Sequence, residues 1–306
     1  MGQNIKVPLE DIPLASNHYN GIRLSILRED LVFPEISGNK FRKLKYSVQQ
    51  ALEANCGPLL SFGGAYSNHI AALARAAKLS GMRSIGIIRG EELASQVLNS
   101  TLSYARAQGM DLHFVTREQY RDKEDPVFIE VLEQAHGPFY LIPEGGTSKL
   151  AVKGCEEIWQ GIPDSFDMVC VPVGTGGTLA GLVAGCPKPD ISIKGYSAVK
   201  GNFQTHLVQR FTNRSNFSIT DTYCFGGYAK IDAELIRFIN EFRRDYGVLL
   251  DPVYTAKMLY GILDEIRSGQ IPENTRILAL HTGGIQGIAG MNQRLKKKNL
   301  PLIETR

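Results

Sequence analysis

Two rhythms of apolar and polar positions alternate along this chain. Residues 22–27 alternate apolar with polar side chains, which predicts a strand, and Arg28, Glu29 and Asp30 predict the turn that closes it. After Lys40 the period changes. Phe41, Leu44, Val48, Ala51 and Leu52 recur at three- and four-residue steps and predict a helix with one apolar face. From residue 58 a strand-then-helix order sets in. Strands are predicted at 58–62, 84–88, 112–115 and 139–142, separated by helices that carry Ile70, Leu73, Ala74 and Ala77, then Leu98, Leu102 and Ala105, then residues 126–135. A second series follows, with a helix over 149–160, a strand at 168–173, a helix over 178–185 and a strand at 191–199. Two further helices, through Leu235, Ile236 and Ile239 and through Ala256, Leu259, Tyr260 and Leu263, precede a last strand at 277–280.

Strands that alternate with helices predict an α/β fold, here with two open, mostly parallel, twisted sheets and flanking helices. Pro143, Glu144, Gly145, Gly146 and Thr147 interrupt the rhythm. They place a boundary between a smaller α/β domain, 43–146, and a larger one built from 1–42 and 147–306. A chain of 306 residues exceeds the length at which a single core usually stops growing, so two domains are expected.

Charge narrows the possible partners. A net charge of +3 spread over the chain makes no basic footprint, so nucleic acid is not an expected partner, and the one dense basic run, Lys296 to Lys298, reads as a helix end complementing its dipole. The five cysteines form no CxxC pair and have no histidine at zinc spacing, so they read as core thiols, with no metal site expected. The first residues hold no apolar leader and no stretch reads as a membrane anchor, so a cytoplasmic setting is expected.

In parallel sheets ligands bind beyond the carboxyl ends of the strands, and four loops there carry chemistry. Gly38 and Asn39 turn the chain and deliver Lys40 to the start of a helix. The positive end of the helix dipole favours the neutral amine that condenses with an aldehyde, although the same tripeptide also suits a solvated basic helix start. Lys43 lies three residues on, on nearly the same face. Gly174, Thr175, Gly176, Gly177 and Thr178 follow a strand and open a helix, as an anion cup of backbone N–H groups and hydroxyls would. Leu179 stands where a dinucleotide fingerprint needs glycine, which disfavours a nicotinamide-binding oxidoreductase. Ser67 and Asn68 sit between a strand and a helix, where they can cap the helix or hold a ligand, whereas His69 reads as a surface or packing residue. Thr282 follows the last strand, where it can face a ring edge or serve structure alone, and His281 beside it reads as buried and satisfied.

Taken in order, residues 37–44, 64–69, 174–178, 250–255 and 281–284 resemble the D-cysteine desulfhydrase and 1-aminocyclopropane-1-carboxylate (ACC) deaminase family over roughly residues 20 to 290. That resemblance implies a tryptophan synthase β-like fold (fold type II) and the cofactor pyridoxal 5′-phosphate (PLP). It implies that Lys40 forms the Schiff base, that Lys43 and Gly174, Thr175, Gly176, Gly177 and Thr178 bind the phosphate, and that Asn68 meets the phenolate oxygen. It further implies that Ser67, Tyr254 and Tyr228 act near a small amino-acid substrate, and that Thr255 and Thr282 face the ring edge. A homodimer is implied as well. The family's ACC deaminases are expected to carry a glutamate at 255 and a leucine at 282. Threonine hydroxyls are neutral partners for a ring nitrogen, and a neutral ring is the weaker electron sink. Ala65 and Tyr66 also depart from the family pattern, and Trp159 is the only tryptophan. The expected reaction is therefore β-elimination of D-cysteine or a related D-amino acid to pyruvate, ammonia and sulfide. The alternatives are ACC deamination to 2-oxobutanoate and ammonia, or a non-catalytic PLP or amino-acid carrier.

Overall fold

The computed structural model describes residues 6–14, 20–36, 38–163, 165–201 and 203–305; Ser37, from the lysine-bearing motif, lies outside the described residues. In chain order the elements are β1 (Leu9–Ile12), β2 (Arg23–Leu27), α1 (Asn39–Glu53), β3 (Leu59–Gly63), α2 (Asn68–Leu79), β4 (Ser84–Arg89), α3 (Ser100–Ala107) and β5 (Met110–Val115). There follow α4 (Arg117–Arg121), α5 (Pro126–His136), β6 (Tyr140–Ile142), α6 (Lys149–Glu156), β7 (Met168–Val173), α7 (Gly177–Ala184) and β8 (Ser192–Ser197). The chain closes with α8 (Gln204–Gln209), β9 (Phe217–Thr220), α9 (Ala233–Tyr246), α10 (Thr255–Arg267), β10 (Arg276–Leu280) and α11 (Gly287–Lys297).

The strands form two sheets, one ordered β5-β4-β3-β6 and the other β1-β2-β10-β7-β8-β9. Every pairing is parallel except that of β1 with β2. Strands β3, β4 and β7 are buried almost throughout, because helices cover both faces of a parallel sheet and leave no side for polar residues. Local chemistry starts the helices: Ser67 caps α2, Asn99 caps α3, Asp125 precedes Pro126 at the head of α5, and Asp232 caps α9.

Several elements differ from the sequence pattern. Strands β1 and β9 have four residues each, too short for a period to show. The predicted helix over 149–160 ends at Glu156 and continues as a tighter 3-10 segment, Glu157–Gly161. The expected turn at Arg28 to Asp30 runs into a 3-10 turn, Glu29–Leu31, in which Glu29 and Asp30 are buried. Their charges are matched: Arg42 of α1 reaches both carboxylate oxygens of Glu29, at 2.9 and 3.2 Å, and Arg28 grips Asp30 at 2.8 Å through two nitrogens.

Packing around α7 positions the site. Gly177 to Val183 are all buried, and Gly181 lets α6 approach so closely that a Cβ there would stand 2.3 Å from that of Cys155. Helix α1 packs against α6, α7 and α2. Its apolar face, Phe41, Leu44, Val48 and Ala51, joins the core that also holds Leu59 of β3 in the four-stranded sheet and Ile70 and Leu73 of α2. The start of α1 is thereby held where the loops of both sheets meet.

Candidate active site

Gly38 explains the position of Lys40. Its φ of 57° lies in the left-handed region, and a Cβ would stand 2.6 Å from the carbonyl oxygen of Thr282 and 3.0 Å from that of Glu29. Only glycine lets the chain turn there against the end of β10. Asn39 then bridges two parts of the site, donating 2.9 Å to Thr178 Oγ1 and accepting 3.2 Å from Lys40 Nζ. Burial lowers the pKa of Lys40, and the charge of Asp251 offsets part of that effect. The neutral amine expected from the helix dipole is thus favoured, and removal from water acts in the same direction.

Lys43 points into the predicted anion cup and helps to build it. Its Nζ donates to Gly145 O, to Thr147 Oγ1 at 3.0 Å and to Thr175 Oγ1 at 3.3 Å, and the two threonine hydroxyls lie 2.7 Å apart. Burial, then the neighbouring Lys40, pushes the Lys43 amine down to about 7. Gly176 has a φ of 83° and turns the chain into α7, whose first N–H groups have no partner within the helix. A Cβ on Gly177 would stand 2.8 Å from Thr147 Oγ1 and 3.1 Å from Lys43 Nζ, so the concavity depends on glycine. Gly174 leaves room for Tyr254, whose ring would lie 3.0 Å from a Cβ at 174.

Ser67 and Asn68 face the other loops. Ser67 Oγ accepts from Ile70 N at 3.3 Å, an N-cap at a partly open position. The Asn68 amide crosses to the larger sheet, where its Oδ1 accepts 3.1 Å from Gln286 and its Nδ2 would lie 2.9 Å from a Cβ on Gly284. Tyr254 and Tyr228 pack edge to face with ring centroids 6.2 Å apart. Tyr254 is half-buried and Tyr228 is 48% exposed; desolvation raises both phenols, and the two hydroxyls act on each other. Thr282 is 7% exposed beside Gly38, so Lys40, Lys43, Asn68, Tyr254, Thr282 and the 174–178 loop converge.

Thr255 departs from its expected place at a ring edge. It is fully buried, and its hydroxyl donates 3.0 Å to Asp251 Oδ1 while accepting 2.9 Å from Asp251 N. The Asp251 carboxylate also accepts from the backbone of Val253 (3.0 Å), Tyr254 (3.1 Å) and Thr255 (2.7 Å), so this pair shapes the loop that presents Tyr254. His69, read as a surface or packing residue, is the packing one. It is 3% exposed, with Nε2 2.8 Å from Ser61 Oγ and Nδ1 without a hydrogen-bond partner, and burial followed by Lys43 and Lys40 keeps its pKa well below the usual value. His281 is buried as expected. Gly283 N donates to its Nδ1 (3.2 Å), which leaves Nε2 to donate to Leu249 O (2.8 Å).

Sequence reasoning passed over Gly145 and Thr147. They read as a break in the rhythm, yet they follow β6 as the other ligand-facing loops follow their strands, and that shared position was the available signal. The donors gathered here are two amines, hydroxyls and backbone N–H groups, and no carboxylate bonds Lys43 among the described residues. Such a set can hold a phosphate beside a reactive amine.

Comparison with known proteins agrees with that chemistry. The family described as "Pyridoxal-phosphate dependent enzyme" matches residues 2–283. A mitochondrial protein of Arabidopsis thaliana named bifunctional D-cysteine desulfhydrase/1-aminocyclopropane-1-carboxylate deaminase is 31% identical, over 88% of this chain and 74% of its own. The D-cysteine desulfhydrase of Salmonella typhi is 28% identical over 90% of this chain and 91% of its own. A crystal structure described as an ACC deaminase homologue superposes with a TM-score of 0.80 at 29% identity, covering 96% of this chain and 94% of that one.

Proposed function

Because the chain belongs to the pyridoxal-phosphate-dependent enzyme family, we propose that it is a lyase converting D-cysteine or a related D-amino acid to pyruvate, ammonia and sulfide. The observation that carries this reading is a half-buried Lys40 amine, whose pKa desolvation lowers, next to a cup of Lys43, Thr147, Thr175 and the start of α7. The cup fits the cofactor's phosphate in its donors and in the space that a Cβ at 177 would fill. When bound, PLP supplies an aldehyde that captures a substrate amine and a conjugated ring that draws electrons from bonds at Cα.

The chain's own residues divide the remaining work. Lys43 and residues 174–178 hold the phosphate, Lys40 is the covalent anchor, and Asn68, steadied by Gln286, offers its amide to the phenolate oxygen. Burial lowers the pKa of Lys40, which raises the share of neutral Nζ able to take a proton. Tyr254 and Tyr228 stay protonated because partial removal from water raises both phenols, even though Tyr228 keeps 48% of its surface exposed, so they serve as hydrogen-bond donors rather than bases. Ser67 stands at the head of α2, where a substrate carboxylate would meet unpaired N–H groups. Thr282 offers the ring a neutral hydroxyl, and Thr255, standing where the glutamate of ACC deaminases is expected, supports it indirectly by setting the Asp251 loop. A neutral partner suits departure of a thiolate better than opening of a cyclopropane.

ACC deamination to 2-oxobutanoate and ammonia is the second reading, favoured by the likeness to the ACC deaminase homologue and by the two activities in the Arabidopsis relative's name. The proposal extends to a smaller unit over 43–146 against 1–42 with 147–306, supported by a sheet drawn wholly from residues 59–142, and to a cytoplasmic homodimer. Light scattering on the purified protein reads the assembly. Reconstituted protein is expected to form pyruvate from D-cysteine, and 2-oxobutanoate from ACC without pyruvate from D-cysteine would overturn the choice. Borohydride reduction followed by peptide mapping is expected to label Lys40; a label elsewhere removes the site assignment.

A further inference from the structure

The segment that carries Tyr228 has an uncommon backbone. Phe225, Gly226, Gly227 and Ala229 have φ values of 50°, 81°, 119° and 53°, a region that L side chains rarely adopt, and two of the four are not glycine. Such a stretch persists only when its surroundings over-determine it. Two of its carbonyls, those of Cys224 and Gly227, face inward, where each accepts one backbone N–H, from Gly227 (2.9 Å) and Lys230 (3.2 Å).

Lys257 ends between those carbonyls. It lies in the first turn of α10, is 1% exposed, and its Nζ donates 2.8 Å to each of them. Its neighbours Ala256, Met258 and Leu259 are buried apolar residues, so hydrophobic packing alone does not call for a lysine there. Both hydrogen-bond partners are carbonyls, whereas Cys224, Asp251 and Asp232 act on it only through longer-range charge, and burial pushes the amine down to about 8. An ammonium placed this way carries a desolvation cost that an apolar side chain would avoid. What it provides in return is a pair of N–H donors that tie the backbone of the Tyr228 segment to the first turn of α10, beside the ring contact of Phe225 with Tyr260 farther along that helix, and α10 begins immediately after Tyr254.

We propose that Lys257 is a positioning residue, whose ammonium staples the Cys224–Gly227 turn to the first turn of α10 and so sets Tyr228 against Tyr254. The proposal rests on the reading of Tyr228 as a site residue. Because both carbonyls keep a backbone donor when the ammonium is removed, Lys257→Met is expected to fold, with the turn released.

Hydrogen exchange and kinetics test this together. In holoenzyme carrying Lys257→Met, the amides of residues 224–230 exchange about tenfold faster or more, while α2 and β7 keep their protection. Its kcat/KM falls about ten- to hundredfold, the scale of a misplaced site group. Combined with Tyr228→Phe it loses no more than about twofold beyond the worse single variant, since both changes remove one contribution. Lys257→Ala recovers rate with added ethylammonium but not with tetramethylammonium, which has no N–H; this variant carries the test if Lys257→Met does not fold. Unchanged exchange at 224–230, or losses from the two substitutions that multiply in full, would overturn the proposal. Should Tyr228→Phe keep full turnover while exchange rises in Lys257→Met, the staple stands and the reading of Tyr228 is what fails.

Discussion

Gly177→Ala separates binding from stability in the anion cup. The residue opens α7 with no positive φ, so alanine is allowed by the backbone and is the better helix former. A Cβ there would stand 2.8 Å from Thr147 Oγ1 and 3.1 Å from both Cε and Nζ of Lys43. All three atoms are at or near side-chain tips, so the crowding is relieved by swinging Lys43 and Thr147 aside rather than by moving the backbone. The loss then falls on the bound anion. One charge-assisted hydrogen bond is worth about 1.5–3 kcal/mol, which is roughly a ten- to hundredfold rise in the PLP dissociation constant. Gly181→Ala, four residues along the same helix, supplies the contrast. Its Cβ would meet Cys155 Cβ at 2.3 Å and the backbone oxygen of Val152 at 2.8 Å, neither of which can swing away. That variant is expected to lose about 1–3 kcal/mol of stability through overpacking. Absorbance titration of the apoprotein with PLP, run beside thermal unfolding, reads both quantities. The reasoning is refuted if Gly177→Ala binds PLP within about twofold of wild type, or if its Tm falls as far as that of Gly181→Ala.

Two further outcomes follow from buried charge. Lys43 has a folded pKa of about 7 against 10.5 unfolded, so between those values the unfolded chain holds the extra proton. The apoprotein therefore gains stability from this group as pH rises from 7 toward 10.5 and loses it as pH falls through 7. Thermal unfolding of the apoprotein across that range is expected to show a steeper rise in wild type than in Lys43→Met, and bound PLP is expected to flatten it; equal slopes in the two apoproteins contradict the assignment. Glu29→Leu leaves the Arg42 guanidinium buried with Glu157 only at 3.9 Å, which is expected to cost about 3–5 kcal/mol in denaturant unfolding. Adding Arg42→Met is expected to recover much of that loss, and a single variant within about 1 kcal/mol of wild type shows the pair to be unimportant.

Much of the candidate site is legible along the chain because its parts are local. Gly38, Asn39 and Lys40 are consecutive, residues 174–178 are consecutive, and each set lies where a strand–helix pattern puts a ligand. Other parts depend on distant partners. Thr255 carries a hydroxyl suited to a ring edge, but Asp251 is close enough to take it, and a sequence shows the pair without showing which way either side chain points. His69 sits at the start of an amphipathic helix with nothing to mark it as buried, whereas the packing of Ser61 and Gly146 encloses it. Lys257 falls within an apolar helical stripe, and only the fold of residues 224–227 reveals its acceptors.

The sequence by itself determined the α/β order, the mostly parallel sheets and the identity of the two lysines, because hydrophobic period and turn chemistry act over a few residues. The tertiary structure decided which loops meet: Lys43 finds Gly145, Thr147 and Thr175 from 102 to 132 residues away. It also decided charge. The helix start favours a neutral amine at Lys40, but burial lowers the amine pKa values of Lys40, Lys43 and Lys257, since the free energy of an ammonium depends on how much water the whole fold leaves around it.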